Sequence, residues 1–405
     1  MSSCPLPEST PNVLVFYPKV FWGGGPPRTC YAICSHWPGQ GLPVTVYSAA
    51  YPGDDPARIM APALPTVLPQ RLQRRLASVA RLRPILERRS VAQALAAVRP
   101  GDLCYFWPGL GASSAAIAAA KARGGRIVQE FINTHSAYAK RILDAECDRI
   151  GAPRYPQFTA AMLEREAERL RLADAVFAPG PFVEASIRDT TPICPEILPA
   201  SYGTYLPSGA PVQRTGRPAG RPVRFLYVGS VGLRKGAHIL MEAWRRAGLP
   251  AELWIAGKIE RKIKIQNGCD RFLGRIPDTV KFLGHVADIG QVYQDVDAFV
   301  FPSLDEGGPQ VTYEAAAYGL PLIVTPMGGG WIAKDGAQDG AKNGANALVV
   351  PPADTGALTE ALIRLHEDDD LRRALGAQAL ADAPYYGWDQ VADRRRRALL
   401  DFADR

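Results

Sequence analysis

Short apolar runs alternate with helical patterns along the whole chain. In the first half they are VLVFY (13–17), VTVYSA (44–49), LCYFW (103–107), RIVQEF (126–131) and AVFAP (175–179). Runs of this kind, lacking strict polar alternation, are buried on both faces, and helices between them make the strands parallel. The second half repeats the pattern with RFLYVGS (224–230), AELWIAG (251–257), VKFLG (280–284), DAFVFPS (297–303), PLIVTP (321–326) and ALVVP (347–351). The expected fold class is therefore α/β, with two doubly wound, Rossmann-like parallel sheets. Between them PSGAPVQRTGRPAGRP (207–222) is rich in Pro, Gly and Arg and has no period, which marks a linker. Domain boundaries follow: 1–206 for the N-terminal domain, 207–222 for the linker and 223–384 for the C-terminal domain, with 385–405 left as a closing segment. Ligands sit beyond the carboxyl ends of such strands, so two units facing each other form one deep cleft.

A length of 405 residues agrees with two domains, and 47% hydrophobic with 21% charged residues is the balance of a chain that folds. Seven cysteines, odd in number and without a CxxC pair, read as reduced thiols of a cytoplasmic protein rather than as disulfides or a zinc site. No apolar run is long enough to span a bilayer, and MSSCPLPESTPN lacks the charged and apolar regions of a signal peptide. The net charge of +7 is modest, but seven arginines crowd into QRLQRRLASVARLRPILERR at 70–89. This stretch has two readings: a solvated helix burying Leu72, Leu76, Val79 and Leu86, or a basic face resting on anionic lipid at the inner side of a membrane. Nucleic acid is not indicated, because aromatic and basic residues do not interleave.

Two glycine loops follow strands. GGGPP (23–27) can bring backbone at Gly24 and Gly25 close to a ligand, and GLGASS (109–114) is a degraded GxGxxG. Neither has the spacing of a dinucleotide fingerprint, and Glu130 is the only acid placed where a ribose partner would be needed. No GxxxxGK[ST] is present. The richest stretch is DAFVFPSLDEGGPQVTYEAAAYGLPLIVTPMGGG (297–330), which reads as strand, loop, helix, strand. Its loop holds Glu306, Gly307 and Gly308 loosen the backbone, Pro309 opens a helix, and Glu314 follows on that helix. The first amides of the helix, those of Gln310, Val311 and Thr312, together with the helix dipole, suit a diphosphate.

Glu306, seven intervening residues, Glu314 and then AAAYGLPLIVT resemble the signature of family 4 glycosyltransferases, also called glycosyl transferases group 1, which have the GT-B fold. The usual pattern is E-G-F-(G or P)-x-x-x-x-E-A-x-A-x-G-x-P, and Gly308 stands where the aromatic is common. The resemblance implies that Glu306 orients the transferred sugar and that Glu314 binds the nucleotide ribose. FLYVGSVGLRKGAHILMEAW (225–244) resembles the family segment in which an arginine and a lysine neutralise the donor diphosphate. Lys235 matches the lysine, Ser230 replaces the arginine, and neighbouring Arg234 is placed to supply that charge. A fixed cation there stabilises the charge that develops on a departing diphosphate.

Further segments extend the likeness. VKFLGHV (280–286) is similar to the family segment beside the base, and Gly328, Gly329 and Gly330 with NALVVPPAD (346–354) fit its later strand and loop. The tail YYGWDQVADRRRR (385–397) resembles the helix that crosses back to the first domain. In the first half, GGGPPR resembles the loop facing the donor phosphates, and LEREAERLRLADAVFAPGPFVEASI followed by ASYGTYLP resembles the approach to the linker. His135, in FINTHSAYAKRIL, stands where relatives carry a histidine facing the donor sugar; a structural histidine is the alternative reading.

The resemblance implies transfer of sugar with retention, from a UDP- or GDP-linked donor to a glycan or lipid-linked acceptor, without a cofactor or an essential metal. DDD at 368–370 sits in a helix-turn-helix pattern where acidic residues cap and solvate. The alternatives are a catalytically silent sugar-nucleotide binder, which the departure at Ser230 keeps open, a GT-B sugar-phosphate epimerase, and a nicotinamide oxidoreductase.

Overall fold

The computed structural model describes residues 10–21, 25–65, 67–107, 113–191, 194–208, 220–259, 276–336 and 344–405. Gly24, residues 109–112 of the GLGASS loop and residues 209–219 of the linker lie outside this set. The first sheet has seven strands: β1 (Val13–Val20), β2 (Val44–Ala50), β3 (Met60–Pro62), β4 (Leu103–Phe106), β5 (Arg126–Glu130), β6 (Ala175–Ala178) and β7 (Glu196–Pro199). Their order is β3-β2-β1-β4-β5-β6-β7, all parallel. The second has six: β8 (Arg224–Val228), β9 (Glu252–Ala256), β10 (Val280–Gly284), β11 (Ala298–Phe301), β12 (Leu322–Val324) and β13 (Ala347–Val349). Their order is β10-β9-β8-β11-β12-β13, again parallel throughout. This pair of doubly wound sheets is the GT-B architecture.

The central strands are buried as their apolar runs require, with β4, β6 and β11 closed to solvent at every position. The edges differ. MAP of β3 and EILP of β7 are half-buried or exposed at most positions, and only Val280 of β10 is buried. An edge strand has a neighbour on one side only, so these three carry weaker apolar patterns, and the pattern alone marks neither β3 nor β7.

The helical reading of 70–89 holds for Gln70–Ser78 and for the start of Arg83–Ala97, but not for all of the burial expected there. Leu76 and Leu86 pack against Ala50, Leu64 and Ala77. Leu72 and Val79 are instead exposed, together with Val67, Leu82 and Ile85, because Gln73 and Ala77 are the residues this helix turns inward. At 368–370, Asp368 caps the Asp369–Asp382 helix by accepting from the amide of Leu371 at 2.8 Å.

The chain ends in a helix, Trp388–Ala403, that lies on the first domain although it follows the second. Trp37 Nε1 donates to the Ala392 carbonyl at 2.9 Å and Arg126 Nη1 to the Ala403 carbonyl at 2.8 Å. Arg395 of this helix is wholly buried. Its Nη1 and Nη2 reach Glu130 Oε2 and Oε1 at 2.8 and 3.1 Å, its Nη1 also approaches the Tyr105 hydroxyl at 3.1 Å, and its Nε donates to the Ser201 carbonyl at 3.2 Å. The guanidinium also lies 4.6 Å from the Phe177 ring centre. A dry charge is tolerable only when paired and hydrogen-bonded, and here each of the three guanidinium nitrogens has a partner. Glu130 is thereby committed to Arg395, so it does not offer the ribose partner that a dinucleotide reading of GLGASS requires.

Removing the cation leaves Glu130 charged in a dry core. Arg395→Ala is expected to lower unfolding stability by about 3–5 kcal/mol in a denaturant titration, and Arg395→Lys to recover only part of it, since lysine cannot reproduce the two-pronged pairing. A variant as stable as the wild type would contradict this role.

Candidate active site

The order of the second sheet reverses between β8 and β11, and a doubly wound sheet holds its ligand in the crevice beyond such a pair of carboxyl ends. Two loops leave there, 229–236 after β8 and 302–309 after β11. They are stitched together: the Leu304 amide and the Ser303 hydroxyl both donate to the Arg234 carbonyl, at 2.9 and 3.2 Å. Gly236 permits the contact. It has φ of +68°, and a Cβ there would lie 1.9 Å from the Pro302 carbonyl oxygen.

This stitching sets Lys235 against Glu306. Lys235 Nζ makes an ion pair with Glu306 Oε1, both side chains being about one-eighth exposed. The two residues assigned to the diphosphate and the sugar thus face one space and neutralise each other. Arg234 is similarly engaged. Its Nη1 donates to the carbonyl and to Oδ2 of Asp305, at 3.2 and 3.3 Å, so the charge expected to replace an arginine at Ser230 is opposed by a carboxylate. The Ser230 carbonyl accepts from the Tyr227 hydroxyl at 2.8 Å.

Glu314 lies on the Gln310–Ala317 helix, where its Oε2 accepts from the Tyr293 hydroxyl at 2.9 Å. Burial raises its pKa above the ordinary carboxylate value; the Tyr293 hydrogen bond and the charge of Arg28 act in the opposite direction. At the start of this helix the expectation of three amides pointing at a ligand needs correction. The Thr312 amide already donates to the Pro309 carbonyl at 2.9 Å, and its hydroxyl donates to the Gly328 carbonyl at 2.6 Å. A first turn closed in this way leaves the amides of Gln310 and Val311 to open the helix.

The first domain supplies the opposite wall. Gly25, at φ +72°, opens the Pro26–Cys34 helix, and the Gln310 side chain donates from Nε2 to Thr29 Oγ1 across the cleft. Asp305, 3% exposed, accepts from Thr134 Oγ1 at 2.6 Å. His238 Nε2 meets Glu146 Oε1 at 2.5 Å, a buried contact that joins the helix after Lys235 to the first domain. His135 is engaged within the first domain. Its Nδ1 accepts the Ala137 amide at 3.2 Å at the head of the Ser136–Ile150 helix, and its Nε2 lies 3.4 Å from Glu166. Burial lowers its pKa, which fits the neutral ring that an accepting Nδ1 requires, while the Glu166 charge acts against that shift. The cleft contact from this loop comes from Thr134.

The Gly307–Gly308 pair serves close approach rather than unusual backbone. Neither residue is in the left-handed region. A Cβ on Gly307 would lie 2.1 Å from the Ile132 carbonyl oxygen, and one on Gly308 2.4 Å from the ring of Tyr202. Gly180 meets the Gly307 carbonyl just as closely, at 2.5 Å from a Cβ built there. Asp305, Thr134, Tyr293 and Tyr202 carry no assigned role in the sequence, because each acts through a contact with a residue distant along the chain. Among the described residues no cluster of three or more His, Cys, Asp or Glu side chains could hold a metal.

With this geometry in place, comparisons with known proteins give a consistent picture. Residues 222–368 match the family described as glycosyl transferases group 1. The capsular polysaccharide biosynthesis glycosyltransferase CapM of Staphylococcus aureus is 31% identical over 153 residues, which cover 37% of this chain and 38% of that protein. The N,N'-diacetylbacillosaminyl-diphospho-undecaprenol alpha-1,3-N-acetylgalactosaminyltransferase of Campylobacter jejuni is 31% identical over 115 residues, 28% of this chain and 29% of that protein. These matches therefore span well under half of the curated relatives' length. The sucrose-phosphate synthase of Thermosynechococcus elongatus superposes over 98% of this chain and all of its own, with a TM-score of 0.66 at 21% identity, which establishes the shared fold.

Proposed function

We propose that this chain, a GT-B protein whose residues 222–368 match glycosyl transferases group 1, is a retaining glycosyltransferase that moves a sugar from a nucleoside-diphosphate donor to a glycan or lipid-linked acceptor. One observation carries the reading: Lys235 and Glu306 meet at the switch point of the second sheet, on the matched segment. Fold alone supports many chemistries, so the argument rests on the site. Lys235 balances the charge growing on the diphosphate, Glu306 orients the sugar hydroxyls, and Glu314 accepts hydrogen bonds from the ribose with Tyr293 fixing its carboxylate. Gln310 and Val311 present amides to the phosphates. Transfer breaks the bond between the sugar anomeric carbon and the β-phosphate oxygen. The acceptor hydroxyl oxygen then bonds that carbon on the same face, and its proton passes to the departing diphosphate. A silent binder would hold the nucleotide without this step.

In this reading the donor must displace Glu306 from Lys235. The capsular and the diphospho-undecaprenol activities named for the two relatives also make a lipid-linked acceptor the favoured class. The surface of residues 67–89 fits that acceptor's location, since Val67 and Ile85 are 90% and 60% exposed and stand among Arg71, Arg74, Arg75, Arg81, Arg88 and Arg89. Apolar side chains rimmed by arginine suit an anionic bilayer surface. Among the described residues no helix is long and apolar enough to cross a membrane.

Calorimetric titration with UDP and GDP tests the donor site. Lys235→Ala is expected to weaken the preferred nucleotide by about tenfold or more, worth roughly 1.4 kcal/mol, whereas Glu306→Gln tightens it while abolishing sugar transfer. Binding that ignores both substitutions sinks the assignment. Flotation with phosphatidylcholine vesicles, with and without phosphatidylglycerol, tests the surface: binding should require the anionic lipid and disappear in Arg74→Glu/Arg75→Glu, and equal binding to both vesicles would contradict it.

A further inference from the structure

Asp305 holds the turn that carries Glu306 from the preceding side, but after the acid the turn has no side chain of its own, since Gly307 and Gly308 follow directly. The fold supplies the missing mass from elsewhere. The ring of Tyr202 lies edge-on against Gly308, where a Cβ would come within 2.4 Å of Cδ2, 2.8 Å of Cγ and 3.1 Å of the tyrosine Cβ. Tyr202 is 5% exposed, its hydroxyl points at the Phe131 carbonyl at 3.5 Å, and the Arg395 guanidinium stands 5.4 Å from its ring centre. Its position is fixed by its neighbours. The Ser201 carbonyl accepts from Arg395, the Thr204 amide donates to the Tyr386 carbonyl at 2.9 Å, and a Cβ on Gly203 would lie 2.6 Å from that same carbonyl oxygen.

We propose that Tyr202 is the positioning residue of the Glu306 turn, an aromatic ring carried by the crossing between the domains that occupies the space a side chain at position 308 would take. This deepens the transferase reading and rests on it for the role of Glu306. The resemblance noted above places an aromatic at position 308, and here glycine stands there with a tyrosine ring against it. Backbone conformation does not require that glycine, because its φ is outside the left-handed region; only the ring does. The consequence is mechanical. Packing at position 308 comes from Tyr202, on the crossing between the domains, and it adds to the Lys235 pairing and the Asp305 hydrogen bonds, so the turn is fully packed only when Tyr202 is seated. Gly307, pressed on the Ile132 carbonyl, fastens the other side of the same turn.

Two measurements on the full chain test this. The first is a melting cycle of Gly308→Ala, Tyr202→Ala and the double variant. The added methyl should lower the melting temperature by a few degrees in the wild-type background and be tolerated once the ring is gone; additive effects would overturn the contact. The second is release of nucleoside diphosphate from UDP-glucose and GDP-mannose. Tyr202→Ala should lower kcat about tenfold or more with donor KM changed little, Tyr202→Phe should keep most of the rate, and Tyr202→Ala/Gly308→Phe should regain it by moving the ring to the other domain. An unaltered kcat in Tyr202→Ala, or a double variant no better than its weaker parent, would overturn the proposal. If the wild type turned over neither donor, the transferase reading would fall, and the melting cycle alone would decide whether Tyr202 sets the turn.

Discussion

A single buried guanidinium organises this protein. Arg395 leaves the terminal helix, enters the core of the first domain and binds Glu130 at both carboxylate oxygens and Ser201 at its carbonyl. Because the residue belongs to the last helix and its partners to the first domain, the pairing forces the chain to cross back after completing the second sheet. The crossing sets Ser201, and Ser201 sets Tyr202, whose ring lies on Gly308 beside Glu306. Desolvation gives the arrangement its stringency, since a charge in a dry core tolerates no looser geometry. The path from the structural ion pair to the acid of the site uses one hydrogen bond, Arg395 to Ser201, and one packing contact, Tyr202 on Gly308, joined by the chain itself.

The site itself is built from charges that cancel within the protein. Lys235 faces Glu306, and Arg234 faces Asp305. Burial leaves Glu314 less inclined to ionise. Such a site is almost neutral before a ligand arrives, although its parts are charged. In the proposed function a diphosphate enters by exchange, taking the cation from Glu306 and releasing that carboxylate toward the sugar. The water-poor cleft makes this exchange consequential, because each pairing is stronger there than in bulk solvent.

The sequence shows clearly whatever depends on neighbours along the chain. Apolar runs mark the central strands because β1, β4, β6, β8 and β11 are sealed on both faces, and the spacing of Glu306 and Glu314 survives because both ride one loop and one helix. Features that depend on distant neighbours stay hidden. Strands β3 and β7 are edges with half-polar runs, and Thr134 and Asp305 are 171 positions apart in sequence yet share a hydrogen bond. Gly308 was visible as a departure from a pattern, but its reason, the ring of Tyr202, becomes apparent only when the chain is folded. Arg395 was one arginine in a run of four; burial distinguishes it, and helical periodicity alone does not say which of the four enters the core.

The most direct test of the account follows the anomeric proton of the transferred sugar by nuclear magnetic resonance while the protein turns over an α-linked nucleotide sugar. The account predicts that the first-formed glycoside has the α configuration and that nucleoside diphosphate appears in equal amount, with neither signal in Lys235→Ala. A β-configured first product would contradict retention, and product formation at the wild-type rate in Lys235→Ala would contradict the placing of the site at the switch point of the second sheet.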